Sequence, residues 1–202
     1  MSIDRERFEQ GLTYDAWKAQ MTRNRERFED NEQSAPVSDE DLAAFRALPR
    51  PLKVLVLAED WCGDVVANLP ILGRIAKSTG KLDLRVFLRD QNLDLMEQYL
   101  NEGKFRSIPV FAFFDDAFRP LGVFIERPRS VTELRERKRR EIYARDAAFG
   151  SPSDPADRLP EDVRQRLQEA LLQMRAETKA FADREVVREL RELVARAPVA
   201  RA

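Results

Sequence analysis

The central part of the chain opens with an apolar pattern typical of a buried strand, followed by a helical one. Leu52–Pro70 reads LKVLVLAEDWCGDVVANLP. Its Val54–Ala58 segment is a continuous apolar run with the length and β-branched content of a buried strand. After a polar turn, apolar residues recur at helical spacing, at Val65, Val66, Leu69, Leu72, Ile75 and Ala76. The pattern predicts a strand that leads directly into an amphipathic helix.

Periodicity in the following residues predicts the order strand, helix, strand, helix, strand, strand, helix. The later elements are predicted at Leu82–Leu88 (strand), Leu93–Leu100 (helix), Val110–Phe114 (strand) and Leu121–Glu126 (strand), with a hairpin turn at Asp115-Asp116. The strand–helix–strand start favours parallel pairing, whereas the hairpin favours an antiparallel edge. We therefore predict an α/β fold with a central mixed sheet flanked by helices.

Helical patterns also precede this region. Thr13 is predicted to cap a helix with Tyr14, Trp17 and Met21 on one face, and Phe8 and Phe28 are predicted to join that apolar surface. These helices would either cover a substrate or pack on the core, and we favour packing. Ser38 and Asp41 resemble a capping box for a short helix at Asp39–Ala47.

Helices are predicted after the hairpin as well. Ser130 and Glu133 fit a capping box for a helix that carries the charged run 135–141. That run is interpreted as a solvated face rather than an anion or nucleic-acid patch, because glutamates interrupt it and no aromatic residues interleave. A last helix is predicted over Pro160–Arg196, with a break near Thr178–Arg184. Its long apolar stripe must be covered by the rest of the chain or by a second copy.

Composition narrows the class of protein. Lys and Arg total 35 and Asp and Glu total 36, and the net charge of −1 argues against general nucleic-acid affinity. The chain has one cysteine and no histidine, which excludes Cys–His catalysis and His-ligated metal sites. No apolar run has membrane-spanning length, and the charged N-terminus does not resemble a signal peptide. We expect a cytoplasmic protein with no metal, no nucleic-acid partner and no membrane partner.

The cysteine itself lies in a distinctive segment. Trp61-Cys62-Gly63 follows the buried strand, Pro70-Ile71-Leu72 lies in the next helix, and Asp90-Gln91-Asn92 and Arg106-Ser107-Ile108-Pro109 follow in order. In this order and spacing, the segments resemble the thioredoxin family, and the WCGD sequence is similar to that of bacterial single-cysteine members. The resemblance covers about 52–128. It implies a thioredoxin-like fold in which Pro109 follows a cis peptide bond and faces Cys62.

The chain departs from the thioredoxin pattern at three positions. Val65 replaces the second motif cysteine, Asp64 replaces the motif proline, and Val56 stands where the family has a buried acid. A dithiol cycle within one chain is therefore excluded. The domains expected from the resemblance are an N-terminal helical extension over 1–50, a thioredoxin-like domain over 51–149 and a C-terminal helical extension over 150–202.

Two functions remain open on the sequence. The first is monothiol thiol–disulfide exchange with Cys62 as the catalytic residue, using glutathione or another small thiol as co-substrate and no bound cofactor. In that case the resemblance implies that protein or small-thiol disulfides contact Trp61, Gly63, Asp64, Ile108 and Pro109. The alternative is a non-catalytic binding or assembly module that uses its helical extensions, with a homodimer through the C-terminal helices as one arrangement.

The predicted state of the thiol follows from local charges. A helix N-terminus lowers a cysteine pKa, whereas the nearby carboxylates of Asp60 and Asp64 oppose ionisation, and the motif contains no lysine or histidine. We expect a modest lowering of the thiol pKa.

Overall fold

The computed structural model describes residues 3–196, within which five strands form one mixed sheet. The strands are β1 (Leu12–Thr13), β2 (Leu52–Ala58), β3 (Leu82–Leu88), β4 (Val110–Phe114) and β5 (Pro120–Ile125). Their order across the sheet is β1-β3-β2-β4-β5. β2 and β3 are parallel, and β4 pairs antiparallel with both β2 and β5. The predicted α/β class and mixed sheet are confirmed. The edge strand β1 was not predicted, because two residues carry no readable alternation.

Nine α-helices precede, separate or follow these strands along the described residues. They are α1 (Arg5–Glu9), α2 (Tyr14–Gln20), α3 (Arg25–Gln33), α4 (Asp39–Arg46), α5 (Gly63–Thr79), α6 (Leu93–Met96), α7 (Arg129–Arg145), α8 (Glu161–Glu177) and α9 (Lys179–Ala195). The Thr13 side chain accepts a hydrogen bond from the Ala16 backbone, which confirms the predicted cap of α2. The capping box of Ser38 and Asp41 at the start of α4 is also confirmed.

The N-terminal helices are part of the main core, as the packing interpretation predicts. Phe8, Trp17 and Phe28 are all buried, and Trp17 and Phe28 meet edge to face with ring centroids 5.4 Å apart. Between α3 and α5, the buried side chain of Asn31 donates a 2.8 Å hydrogen bond to the backbone oxygen of Val66. These contacts fix α3 against the helix that follows the cysteine.

The predicted start of α7 is wrong. The N-cap residue is Pro128, and α7 begins at Arg129, so Ser130 lies inside the first turn. Its hydroxyl donates to the Glu185 carboxylate. Glu133 pairs with Arg129, one helical turn before it. Proline is tolerated at this N-cap position, where the backbone is not helical (ψ 142°), because no intrahelical donor is needed there.

Two compact units account for the described chain. The first contains the residues up to Arg127 together with those from Val186 onwards, and the second is Pro128–Glu185. The first unit holds the sheet and the main core. The second unit has a small core of its own, formed by Ile142, Tyr143, Phe149, Val163, Leu167 and Met174. The domain boundaries expected at 50 and 150 remain a prediction.

The C-terminal apolar stripe is divided between these units. The predicted break occurs at Thr178, whose hydroxyl donates back to the Met174 backbone oxygen at 2.8 Å. Before the break, stripe residues join the second unit's core. After it, five apolar residues of α9 join the main core: Val186, Val187, Leu190, Leu193 and Val194. Most of the stripe is therefore buried within one chain.

Candidate active site at Cys62

Cys62 lies where β2 gives way to α5. It is the N-cap residue of a 17-residue helix, with extended backbone angles of φ −82° and ψ 120°. β2 ends at Ala58, buried against its neighbours, and the short turn after it directs Cys62 towards the helix end. Unsatisfied N–H groups at a helix N-terminus favour an anion. The predicted placement of the cysteine at a strand-to-helix turn is confirmed.

The thiol lies beside the segment that precedes β4. Cys62 Sγ is 3.5 Å from the backbone oxygen of Ile108, to which it donates a hydrogen bond. The Ile108–Pro109 peptide bond is cis. The oxygen of Pro109 accepts a 2.7 Å hydrogen bond from the backbone N–H of Glu126. The chain therefore brings together Cys62, Ile108 and Pro109, three of the residues that the resemblance assigned to a site.

The expected lowering of the thiol pKa is wrong. Burial is the largest influence and raises the pKa of Cys62, and the carboxylates of Asp64 and Glu126 raise it further. Hydrogen bonds from the backbone of Val65 and Asp64 lower the pKa, but not enough to offset the burial. The helix N-terminus therefore acts as predicted, and the cost of removing a charged sulfur from water exceeds its effect.

Trp61 is the exposed residue of the motif, with 43% of its surface accessible. Its ring lies under the guanidinium of Arg89, 4.9 Å from the centroid. Arg89 also donates to the carboxylate of Asp90 and, at 3.2 Å, to the backbone oxygen of Arg106. A cation–π contact and three hydrogen bonds, two of them to Asp90, thus hold an arginine over the indole, next to the cysteine.

Asp64 has little contact with solvent. Gly63 and Asp64 are the first two residues of α5, and Asp64 is only 7% exposed. Its Oδ2 lies 3.2 Å from Nη2 of Arg127, which also pairs with the carboxylate of Glu126. A substrate contact by Asp64 remains a prediction, but its carboxylate faces an arginine from the segment that follows the edge strand β5.

Glu126 connects several segments of the site. Its backbone has a positive φ of 61°, a left-handed conformation that is uncommon for a residue with a side chain. The Asn68 side chain donates to its backbone oxygen at 2.8 Å, and the Asn101 side chain donates to its carboxylate at 3.0 Å. The sequence reasoning missed Asn68, Asn101, Glu126 and Arg127. The one available signal was the position of Glu126 and Arg127 at the end of the last predicted strand, Leu121–Glu126.

The N-terminal segment binds the residue before Trp61. Oδ2 of Asp60 accepts hydrogen bonds from the backbones of Thr22 and Arg23 at 2.7 and 2.9 Å. The Asn24 side chain donates to the backbone oxygen of Asp60 at 2.9 Å. Burial raises the pKa of Asp60, but the hydrogen bonds from Thr22 and Arg23 outweigh it and leave the pKa lowered. The loop before α3 therefore fixes the start of the motif.

A cavity of about 200 Å³ lies next to Asp60. It is lined by Trp17, Gln20, Met21, Thr22, Glu59, Asp60 and Leu88. The Glu59 carboxylate at its wall accepts a 2.9 Å hydrogen bond from the backbone of Asp90. Burial raises the pKa of Glu59.

Residues 3–196 contain neither a metal-ligand cluster nor a membrane-spanning helix. No group of three or more potential metal-ligating side chains occurs in this part of the chain. None of its helices is long and apolar enough to cross a membrane. The chain contains a single cysteine, so a disulfide within one copy cannot form.

The sheet order, the Trp-Cys-Gly turn and the cysteine beside Ile108–Pro109 define a thioredoxin-like protein. A family model described as Thioredoxin matches residues 11–140. The match spans more than half of the chain, and the chain belongs to this family. It begins well before the resemblance at 52–128 and includes α2, α3 and α4. No curated protein matches the chain.

Solved structures share the fold over almost the whole chain. A protein of unknown function from Pseudomonas aeruginosa is 17% identical, with a TM-score of 0.66 over 97% of this chain and 99% of that one. An HIV epitope scaffold is 18% identical, with a TM-score of 0.62 over 95% of this chain and 96% of that one. At these identities the likeness shows the fold alone.

Proposed function

We propose that the protein carries out monothiol thiol–disulfide exchange through Cys62. The observation that carries this proposal is the position of the sulfur. It lies at the N-terminus of a long helix, 3.5 Å from the backbone oxygen of Ile108, in a segment whose Pro109 oxygen is held by Glu126. The part-buried thiol lies between the backbone N–H donors of Asp64 and Val65 and the segment that contains Ile108 and Pro109.

The reaction begins with loss of the Cys62 proton to solvent. The thiolate attacks one sulfur of a disulfide, forms a bond between Cys62 and that sulfur, and expels the other sulfur as a thiolate. A second thiolate from solution then attacks the sulfur attached to Cys62. This step forms a new disulfide and returns Cys62 to its thiolate, so no net oxidant or reductant is consumed beyond the exchanging thiols.

The position of Val65 sets which disulfides can be turned over. Val65 is fully buried in α5 and has no thiol, so the mixed disulfide cannot be resolved within the chain. Resolution must come from a small thiol that reaches the partly buried Cys62. We therefore expect exchange of glutathione-type mixed disulfides and little reduction of the protein disulfides that dithiol thioredoxins open.

The raised thiol pKa favours a second function, a thioredoxin-fold binding or assembly module. A thiol that stays protonated at neutral pH attacks disulfides slowly because the thiolate is the nucleophile. In this alternative the strand-to-helix turn at Cys62 serves only packing, and the helical extensions contact a partner or a second copy of the chain. Compartment and partner remain proposals: a cytoplasmic location fits a single unpaired cysteine.

A small-disulfide exchange assay separates the two functions. The purified protein is incubated with a mixed disulfide of glutathione and a small thiol, in the presence of reduced glutathione and glutathione reductase. Exchange should depend on the protein and disappear in Cys62→Ser, while Cys62→Ser keeps the wild-type circular dichroism spectrum and unfolding midpoint. Equal rates for the wild type, Cys62→Ser and a protein-free blank would support the binding module and contradict the exchange activity.

A further inference from the structure

We propose that Arg127 is a positioning residue of the Cys62 site, which holds the carboxylates of Asp64 and Glu126 and offsets their charge beside the sulfur. The inference rests on the proposed function, in which Cys62 must react as a thiolate. Arg127 is far from the motif in sequence, but its guanidinium reaches the first turn of α5. It supplies a cation to a site whose motif contains none.

The geometry of the arginine supports this role. Nη2 of Arg127 is 3.2 Å from Oδ2 of Asp64 and also pairs with Oε1 of Glu126. The three side chains are only 19%, 9% and 25% exposed, respectively. Water therefore screens their charges less than it screens those of surface pairs. Nε of Arg127 is buried and has no hydrogen-bond partner in the described part of the chain.

The same two carboxylates act on the thiol. Asp64 lies two positions after Cys62 on α5, Glu126 follows β5, and both disfavour a negative charge on the sulfur. Without a neutralising cation, ionisation of Cys62 would place three negative charges in one part-buried cluster. A like charge nearby disfavours ionisation, and an opposite charge favours it. Arg127 forms ion pairs with both carboxylates and therefore reduces this penalty.

Other charged groups around the motif have partners of their own. Asp60 is held by the Thr22–Arg23 backbone, and Glu59 accepts from the backbone of Asp90. Arg89 lies over Trp61 and binds Asp90. Among these charged groups, Arg127 is the cation that contacts both Asp64 and Glu126, the two carboxylates that act on Cys62.

The pH dependence of Cys62 alkylation tests this role directly. The rate of reaction with iodoacetamide is measured from pH 6 to pH 10.5, on the full chain, for the wild type, Arg127→Gln, Arg127→Lys and Glu126→Gln. We expect Arg127→Gln to move the midpoint upwards by about one pH unit, the typical effect of one nearby charge. Arg127→Lys should restore most of the shift because it keeps the cation. Glu126→Gln should move the midpoint downwards.

The matched control is Arg129→Gln, which removes the same charge two residues further on. Arg129 is exposed and pairs with Glu133, so its substitution should leave the midpoint within about 0.2 units of the wild type. If Arg127→Gln does not fold alone, the same substitution is made in the Glu126→Gln background, where it should still move the midpoint upwards. Unchanged midpoints in folded Arg127→Gln or in Glu126→Gln would overturn the proposal.

These outcomes are independent of the exchange activity. A wild type that fails to exchange small disulfides, with midpoints that shift as expected, would overturn the proposed function and leave the role of Arg127 intact. Active exchange with unchanged midpoints would support the proposed function and overturn the role of Arg127.

Discussion

The carboxylate of Asp60 accepts a 2.7 Å hydrogen bond from the backbone N–H of Thr22, which joins the N-terminal helices to the cysteine motif. A second bond from the Arg23 backbone, at 2.9 Å, reaches the same oxygen. The loop before α3 is thus a structural support for Trp61 and Cys62, and residues far from the motif in sequence influence where the thiol lies.

Loss of this support should destabilise the protein. Asp60→Ala leaves two backbone donors without their acceptor, and we expect a loss of about 1–3 kcal/mol in the free energy of unfolding. Asp60→Asn keeps an acceptor oxygen and should lose less. Urea denaturation followed by circular dichroism measures both. An Asp60→Ala protein as stable as the wild type would show that the loop is held by other contacts.

Much of the fold could be predicted from the sequence, because its signals are local. The β-branched run of β2, the alternation of β3 and the polar turn between β4 and β5 report their own conformation through period and length. Cys62 was placed correctly for the same reason. The start of α7 was not, because the Ser130 hydroxyl binds Glu185, a residue distant in sequence, instead of capping the helix, and no local pattern reports such a contact.

The charged part of the site could not be predicted from local patterns. Arg127 and Asp64 are far apart in sequence and meet only once β5 is paired and α5 is packed on the sheet. The state of the thiol depends on burial, which periodicity does not measure. The expected pKa had the wrong direction for that reason, although the effects of the helix N-terminus and of Asp64 had the right signs.

Gly73 in α5 faces the ring of Tyr14 so closely that no side chain fits between them. A Cβ at Gly73 would lie 2.3 Å from Cζ and the hydroxyl oxygen of Tyr14. Alanine ordinarily stabilises a helix interior by about 1 kcal/mol relative to glycine. Here the clash should exceed this gain, and Gly73→Ala should destabilise the protein by about 1–3 kcal/mol.

A double-mutant cycle separates the two effects of this substitution. In a Tyr14→Ala background the clash is removed, so Gly73→Ala should become neutral or stabilising in thermal and urea unfolding. The same destabilisation in both backgrounds would show that Tyr14 is not the cause.

The carboxylate of Glu32 should make stability depend on acidic pH. Burial raises its pKa, but hydrogen bonds from Lys18, Lys77 and Tyr14 outweigh it, and the pKa is lowered. A group with a lowered folded-state pKa stabilises the fold above its unfolded pKa, about 4.3, and that contribution is lost as pH falls through the folded pKa. Glu32→Gln should therefore lower the free energy of unfolding at pH 7, with a difference that narrows towards pH 3. A difference independent of pH would contradict the ion pairing.

The second half of α9 should be essential to the main core. Leu190 is fully buried there, and Leu190→Ala should cost about 2–5 kcal/mol in the free energy of unfolding. Leu172→Ala on α8 is the matched control: Leu172 is 52% exposed, and its loss should change stability by less than about 0.5 kcal/mol. A chain truncated at Gly150 lacks α9 and should be insoluble. A soluble, monomeric truncation would show that the core does not need this helix.

Formation of a glutathione mixed disulfide at Cys62 tests the central claim most directly. The folded protein is incubated with glutathione disulfide between pH 7 and pH 9.5, and intact mass is followed with time. We predict one glutathionyl adduct that forms faster as the pH rises, because more of the thiol is ionised, is absent in Cys62→Ser, and is released by reduced glutathione. A folded protein that forms no adduct at any of these pH values, while the urea-unfolded chain reacts, would contradict exchange through Cys62.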